Sequence, residues 1–278
     1  YKALIILLDK RSRMNIFTED RLPDSYAICL IGHGSGDLEG VQGFLTLSQK
    51  LRERKFCHIV ESGFLEFENP DITEALSACQ RNGVKNIIIL PGILFSGKHT
   101  QRDVPHTASA VFRNHPEINL IFAEPLATQP KVIEASQKRI EEEEKNSPES
   151  FSRSETLLMT IGHGSRDTGF NSEVEKTLSQ LGDNMGFGKT LTGFAGSSQH
   201  YIEDMQEKFK PQRFRRVILF PFFLFSGVWV KRVYALADTL QGKYPNTEIL
   251  KTSCLSHHAL IIDALIQRVR ESVSNKLT

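Results

Sequence analysis

Three side chains in the first half of the chain are suited to handling a metal ion and protons. His33 lies in the segment GHGS at Gly32–Ser35, Glu66 follows an apolar run, and His99 ends the segment SGKH at Ser96–His99. Neutral imidazole binds Fe, Co, Ni, Cu and Zn, and it is the common proton carrier near neutral pH. A carboxylate accepts a proton or orients a neighbouring imidazole. The three residues are therefore candidates for metal binding or proton transfer, although a histidine taken alone is more often a core or surface residue than a ligand.

Each of these residues follows a short apolar run that predicts a β-strand. The expected strands cover residues 27–31, 58–64, 87–90 and 118–122, and helices are expected near 41–51, from 70, near 100–112 and from 130. Strands that alternate with helices indicate a parallel sheet with helices on both faces. Because ligands bind beyond the carboxyl ends of such strands, His33, Glu66 and His99 are expected at one edge of the sheet.

The second half of the chain repeats the first. A shift of 130 positions superposes Ile31–Ser35 on Ile161–Ser165 and Leu94–Gly97 on Leu224–Gly227, and a one-residue slip brings Pro116 onto Pro245. This repeat predicts two tandem, similar α/β domains, each a parallel four-stranded sheet flanked by helices. The expected bounds are an N-terminal appendage at 1–24, domains at 25–145 and 155–278, and a linker at 146–154. A run of four glutamates and the following turn residues, 141–148, mark the link between the copies.

The repeat also serves as an internal control for the candidate site. At the matched positions the second copy keeps His163, but it has Trp229 in place of His99 and Gly196 in place of Glu66. A set of residues needed for folding is expected in both copies, whereas a catalytic set is needed in only one. The first half is therefore expected to be the active half.

Composition excludes several other classes of protein. The chain has 34 basic and 33 acidic residues and a net charge of +1, without the basic excess that nucleic-acid binders show. Its four cysteines are scattered, which favours reduced, buried thiols in a cytoplasmic protein over disulfides or a zinc site. Because the longest apolar runs are too short to span a bilayer, no membrane association is expected.

Three other interpretations of these motifs are weaker. In a dinucleotide-binding loop the last glycine of G-x-G-x-x-G would stand where the chain has Asp37. A hydrolase that used Ser35 with His33 would lack the G-x-S-x-G frame and a workable nucleophile–base geometry. The adjacent His257 and His258 point apart on a helix, which favours a surface or helix-cap role over metal binding.

The motifs around the three candidates resemble those of the class II tetrapyrrole chelatases. The similarity rests on Gly32–Ser35, on Gly63–Glu66 with Pro70, and on Pro91 through Ser96–His99 to Arg102–Pro105. It is strongest to the sirohydrochlorin branch, which comprises the long, two-domain CbiX-type cobaltochelatases and the related siroheme ferrochelatases. The similarity covers both halves from about Tyr26 to the C-terminus.

This resemblance implies a cytoplasmic lyase that inserts a divalent metal into sirohydrochlorin without ATP, in a cleft between two α/β domains. The metal is then a substrate, Co²⁺ being expected and Fe²⁺ or Ni²⁺ being alternatives, and no organic cofactor is expected. Siroheme ferrochelatase and a non-catalytic tetrapyrrole or metal carrier remain the alternative functions. We expect a monomer or weak dimer.

By the same resemblance His33 and His99 bind the metal, and both act in catalysis together with Glu66. Because sirohydrochlorin carries many carboxylates, cationic and polar residues near the site are candidates for binding it. Solvated surface charges are the alternative interpretation of the cations, and interface packing is the alternative for the aromatic residue. The substrate-binding candidates are Ser35, Ser96, Lys98, Arg102, Trp229, Lys231 and Arg232.

Overall fold

The computed structural model describes residues 21–95, 97–127, 129–165, 168–196, 205 and 214–276, without the side chains of residues 98–100 and 168. Most of the expected N-terminal appendage therefore lies outside the described residues. Near its end Leu22 is buried, and its amide donates a hydrogen bond to the carbonyl of Phe56 at 2.8 Å. The chain is thus already joined to the first copy at Leu22.

The first copy alternates strands and helices, as its apolar pattern predicts. Its elements are β1 (Tyr26–Gly32), α1 (Leu38–Glu53), β2 (Ile59–Phe64), α2 (Ile72–Arg81), β3 (Asn86–Pro91), α3 (Lys98–Val111), β4 (Asn119–Phe122) and α4 (Pro130–Asn146). All strands are parallel, and the order in the sheet is β2-β1-β3-β4. This order places β1 between the strands that precede Glu66 and His99.

The second copy repeats this sheet. Its described elements are a short 3₁₀ helix (Arg153–Glu155), β5 (Thr156–Gly162), α5 (Thr168–Met185), β6 (Lys189–Phe194), β7 (Arg216–Phe222), α6 (Val228–Lys243), β8 (Glu248–Lys251) and α7 (Ala259–Lys276). The strands are again parallel, in the order β6-β5-β7-β8. The predicted fold class, two similar α/β copies each with a parallel four-stranded sheet, is confirmed. Among the described residues no helix is long and apolar enough to cross a membrane.

Both faces of the first sheet are buried, as parallel sheets require. From β1, Ala27, Cys29 and Ile31 pack into one apolar cluster with residues of α2 and α3. Ile28 and Leu30 alternate with them and are fully buried on the opposite face. The continuous apolar run in the sequence therefore reflects helices on both sides of the strand.

Two element boundaries differ from the sequence-based expectation. Helix α2 begins after Asp71 rather than at Pro70, because the Asp71 carboxylate accepts a hydrogen bond from the Glu74 amide at 2.8 Å and the Glu74 carboxylate accepts one from the Asp71 amide at 2.9 Å. This reciprocal capping box fixes the first turn. The acidic run expected to mark the link forms the end of α4, where Lys138 pairs with Glu141 three positions on.

The last helix of each copy packs on the other copy's sheet. The described residues form two compact units. The first comprises the residues up to Ala127 together with those from Ile262 onward, and the second comprises the residues between these two stretches. Helix α4 thus contacts β7 and β8, while in α7 the ammonium of Lys276 donates to the carbonyl of Leu120 in β4 at 2.7 Å. The expected domain bounds follow the sequence repeat, whereas each compact unit contains the last helix of the other copy.

Two equivalent arginines anchor the exchanged helices. Arg139 of α4 donates to the carbonyl of Leu255 at 3.3 Å, and Arg268 of α7 donates to the carbonyl of Leu126 at 3.3 Å. Arg268 follows Arg139 by 129 positions, and Leu255 follows Leu126 by the same number. Each arginine also pairs with the glutamate three positions further along its helix. The exchange is therefore reciprocal, with the same contact made in both directions.

A matched pair of cavity variants tests this exchange. Ile140 in α4 and Val269 in α7 are both fully buried and lie 129 positions apart. Ile140→Ala is expected to speed amide exchange in β5–β8, and Val269→Ala in β1–β4, because each helix packs on the other copy's sheet. We expect each to lower the local free energy of unfolding by about 2–4 kcal/mol. Hydrogen–deuterium exchange with mass spectrometry measures this. Faster amide exchange in each helix's own copy would contradict the packing of each helix on the other copy's sheet.

Candidate functional site

The carboxyl ends of β1, β2 and β3 lie side by side at one edge of the first sheet. Gly32, the last residue of β1, is opposite Phe64, the last residue of β2, and Ile31 is opposite Pro91, the last residue of β3. Because the strands end in register, His33 leaves the sheet next to the segment that leads to Glu66. The loop after β3 leaves on the other side of His33.

Backbone hydrogen bonds continue the pairing of β1 and β2 beyond the strands. The amide of Leu65 donates to the carbonyl of Gly32 at 3.0 Å, and the amide of Glu66 donates to the carbonyl of His33 at 3.0 Å. The main chains of His33 and Glu66 are therefore held together directly. Their side chains are both exposed, so they are accessible to a ligand at this edge.

Gly34 makes this close approach possible. Its φ is +93°, in a region that glycine adopts readily and other residues rarely adopt. A Cβ built on Gly34 would overlap the carbonyl oxygen of Glu66. Glycine is thus required here on two independent grounds.

Two further residues order the loop between His33 and α1. The amide of Asp37 donates to the hydroxyl oxygen of Ser35 at 3.0 Å, and the amide of Glu39 donates to the carboxylate of Asp37 at 3.1 Å, which caps α1. These bonds lead the chain directly from the end of β1 into the helix. The Ser35 hydroxyl stabilises a turn, an arrangement that does not favour the hydrolase alternative.

The third expected residue, His99, is positioned by its backbone. It lies in the first turn of α3, whose N-cap is Gly97, directly after the loop that leaves β3. The side chains of Lys98 and His99 and the whole of Ser96 lie outside the described residues. The backbone thus places position 99 near the carboxyl edge at which His33 and Glu66 lie.

In the second copy the equivalent site is filled by side chains of the protein itself. The ring of His163 packs edge-on against Trp229, with centroids 5.7 Å apart, and against Phe223 at 6.5 Å. Its Nδ1 lies 2.9 Å from the carbonyl oxygen of Gly164. Trp229, which replaces His99, therefore occupies the space beside the retained histidine.

Gly196, which replaces Glu66, is also fixed by this packing. Its amide donates to the carbonyl of His163 at 2.7 Å. A Cβ on Gly196 would lie 2.6 Å from that oxygen and 3.1 Å from Cε1 of the His163 ring. A glutamate at position 196 would force this arrangement to shift, and with Gly196 and Trp229 the second copy has neither partner of its histidine.

The described cationic candidates lie on exposed surfaces. Arg102, on α3, has 78% of its side chain exposed and pairs with Asp103 at 2.9 Å. In the second unit the guanidinium of Arg232 lies 4.7 Å from the centroid of the Trp229 ring, and Lys231 is exposed beside it. Exposed ion pairs contribute about 0–1 kcal/mol, so the pair with Asp103 does not prevent Arg102 from binding an anionic ligand.

The cysteines and His258 are not arranged to bind a metal. All four cysteines are free and buried, as expected, and burial raises the pKa of the Cys57 thiol to about 11, which keeps it protonated near neutral pH. Nδ1 of His258 accepts a hydrogen bond from the Leu260 amide at 3.2 Å, which is the expected cap role. Among the described side chains, which do not include that of His99, no cluster of three or more metal-binding groups is found.

Sequence reasoning missed two apolar residues at the same edge. Phe67 directly follows Glu66, and Leu38 is the first residue of α1; both are strongly exposed. An apolar residue inside a polar loop, next to a candidate catalytic residue, was the available signal for Phe67. Nothing in the periodicity of α1 distinguishes Leu38 from a core residue.

Comparison with known proteins finds one family model twice along the chain. The CbiX model matches residues 27–143 and 157–272. A sirohydrochlorin cobaltochelatase of Priestia megaterium is 23% identical, covering 90% of this chain and 81% of that protein. A sirohydrochlorin ferrochelatase of the same organism is 20% identical, covering 90% and 91%. The paired match agrees with the internal duplication.

A solved structure has the same fold. It is the sirohydrochlorin chelatase SirB from Bacillus subtilis subspecies spizizenii in complex with cobalt, which is 21% identical. The TM-score is 0.73, with 90% of this chain and 96% of that chain covered. The two-copy α/β architecture therefore recurs in that protein over nearly its whole length.

The two glycines of the first loop provide a direct test of the site's backbone. Gly34→Ala is expected to lower the free energy of unfolding by about 1–3 kcal/mol, because alanine is strained at this φ and its Cβ overlaps the Glu66 carbonyl. Gly36→Ala is the matched control, since a Cβ there meets no atom within 4 Å. Chemical denaturation measures both, and equal losses would contradict the proposed close approach.

Proposed function

The chain belongs to the CbiX family, and we propose that it inserts a divalent metal ion into sirohydrochlorin, acting as a lyase without ATP. The relatives named as sirohydrochlorin cobaltochelatase and ferrochelatase cover nine-tenths of the chain and support this substrate. One structural observation carries the proposal for this chain. Three adjacent, parallel strand ends bring Glu66, His33 and position 99 to one edge of the first sheet, in the copy that keeps all three residues.

The reaction explains these residue types. Insertion exchanges two protons on the pyrrole nitrogens of the macrocycle for one M²⁺ ion, which must also lose its water shell. The site therefore needs weak, exchangeable metal ligands and bases that work near neutral pH. His33 and His99 serve as the metal ligands. The exposed carboxylate of Glu66 accepts the two pyrrole protons one after the other and releases each to solvent, and the three residues form the catalytic set.

The second copy supports the pairing of His33 with His99. The matched positions, His163 and Trp229, place their ring centroids 5.7 Å apart. Two imidazoles that bind one ion at about 2.1 Å have centroids on the order of 5–6 Å apart. Side chains at the two matched positions therefore meet in the second copy, which supports a shared metal ion for His33 and His99 in the first.

Cationic and hydroxyl groups bind the carboxylates of sirohydrochlorin. Of the candidate cations in the first copy, Arg102 is the one whose side chain the structure describes, and its guanidinium suits bidentate contacts with a carboxylate. Trp229, with Arg232 against its ring, offers an aromatic surface in the second copy. The remaining candidates from the sequence are Ser35, Ser96, Lys98 and Lys231.

We propose Co²⁺ as the metal, because a cobaltochelatase is among the relatives and imidazole binds this ion well. The ferrochelatase relative makes Fe²⁺ insertion the second candidate. The proposal requires no organic cofactor. A cytoplasmic monomer or weak dimer, acting without nucleic acid or membrane, remains our prediction for its cellular state.

An anaerobic absorbance assay with sirohydrochlorin and Co²⁺ tests the function. The wild type is expected to accelerate conversion above the uncatalysed rate, and His33→Ala and His99→Ala to lower kcat/KM by about 100-fold or more. Glu66→Gln is expected to lower it by about 10–100-fold, since the amide neither accepts a proton nor carries charge. Repeating the assay with Fe²⁺ and Ni²⁺ identifies the preferred metal.

His163→Ala is the matched control for His33→Ala, because the two histidines occupy equivalent positions. We expect its kcat/KM to stay within about twofold of the wild type, with circular dichroism and thermal unfolding confirming that each variant folds. Equal damage from both histidine variants would refute a single active half. Binding of metal and tetrapyrrole without acceleration would instead identify a carrier.

A further inference from the structure

Three large, exposed apolar side chains lie at or after the carboxyl ends of strands of the first sheet. Leu38 begins α1, Phe67 lies in the loop after β2, and Phe122 ends β4; they are 81%, 75% and 43% exposed. Among the described residues, large exposed hydrophobic side chains include only two others, Leu45 and Val228. Exposed apolar residues grouped at one functional edge indicate a binding surface.

Phe67 is held in a backbone conformation that is unusual for a bulky residue. Its φ is +69°, a region that bulky side chains rarely occupy. Hydrogen bonds on either side fix this conformation, from the Glu66 amide to the His33 carbonyl at 3.0 Å and from the Glu68 amide to the Glu66 carbonyl at 2.9 Å. Backbone strain of this kind is concentrated at ligand-binding sites. The ring is thereby presented to solvent beside Glu66.

We propose that Phe67 and Leu38 contact the face of the tetrapyrrole, and that Phe67 is the main determinant of macrocycle affinity. This inference rests on the proposed function. A hydrated metal ion gains nothing from an apolar surface, whereas a flat conjugated macrocycle is bound by aromatic and aliphatic contacts. Phe67 lies in the loop after β2 that carries Glu66, and Leu38 begins α1 directly after the loop that carries His33.

The extent of the apolar edge also fits a large ligand. From the end of β2 to the end of β4 the sheet order crosses three strand spacings, on the order of 14 Å. Phe67 lies at one end of this span and Phe122 at the other. A macrocycle that lies across the edge touches Phe67 while its reacting nitrogens face His33.

Titration of the full-length protein with metal-free sirohydrochlorin, followed by absorbance under anaerobic conditions, tests the proposal. Phe67→Asn is expected to raise Kd about tenfold, because asparagine tolerates positive φ but removes the ring. Leu38→Ser is expected to raise Kd about threefold. Phe67→Tyr keeps the aromatic face and is expected to remain within about twofold of the wild type.

Leu45→Ser is the matched control for Leu38→Ser. Leu45 is an exposed leucine of the same helix, two turns from Leu38 on the same face and on the order of 10 Å further from the edge. We expect no change in its Kd. Co²⁺ binding without tetrapyrrole, measured by calorimetry, is expected to be unchanged in all these variants, and thermal unfolding of Phe67→Asn is expected at or above the wild-type temperature.

The outcomes separate this inference from the proposed function. A Kd for Phe67→Asn within twofold of the wild type would overturn the inference, even if the enzyme inserts metal. Tight binding that weakens in Phe67→Asn, without metal insertion by the wild type, would support the inference and overturn the chelatase proposal. Absence of sirohydrochlorin binding by the wild type would overturn both.

Discussion

Two backbone hydrogen bonds, from the amides of Leu65 and Glu66 to the carbonyls of Gly32 and His33, extend the pairing of β1 and β2 past the end of the sheet. Because these bonds join main chains, they position His33 and Glu66 whatever their side chains do. The same bonds require a glycine at position 34, since any Cβ there would meet the Glu66 carbonyl. The exposed side chains thus stand on a rigid base, as preorganised sites require.

The second copy forms the same backbone scaffold without two of the three candidate catalytic residues. The amides of Ala195 and Gly196 donate to the carbonyls of Gly162 and His163 at 2.8 and 2.7 Å, so the same two bonds are present. The scaffold therefore forms without Glu66 or His99. What replaces them is apolar packing, with Trp229 against the His163 ring. Retention of His163 alone is explained by that packing, and it does not require a metal.

The sequence was sufficient to predict most of the fold, because strands buried on both faces appear as continuous apolar runs. The predicted run at residues 27–31 and the observed β1 (Tyr26–Gly32) differ by one residue at each end. The start of α2 was misplaced because Pro70 and Asp71 both suit a helix start, and only side-chain geometry decides between them. The acidic run at the end of α4 was taken as part of a link because charge alone does not distinguish a solvated helix from a loop.

The exchange of helices was beyond sequence reasoning for a different reason. Since Arg139 and Arg268 are equivalent, each sequence repeat contains the same arginine and the same acceptor carbonyl, so pairing within a copy and pairing between copies have identical local signatures. Only the tertiary packing determines which of the two carbonyls each arginine binds. The candidate site was predictable to the level of its strand ends. The apolar residue beside Glu66 was a signal for Phe67, but the exposure of its ring depends on a backbone angle that the sequence pattern does not reveal.

The placement of charge and apolar surface suggests how affinity and orientation are divided at this edge. A net charge of +1 provides little long-range attraction for a polycarboxylate, and charges at an exposed residue such as Arg102 are screened within about 8 Å at physiological salt. Exposed cations are therefore better suited to orienting the macrocycle than to holding it. Apolar contact is not screened by salt, so Phe67 and Leu38 are better placed to supply affinity. Weak ligands such as imidazole and carboxylate can then exchange the metal, because they do not also have to retain the substrate.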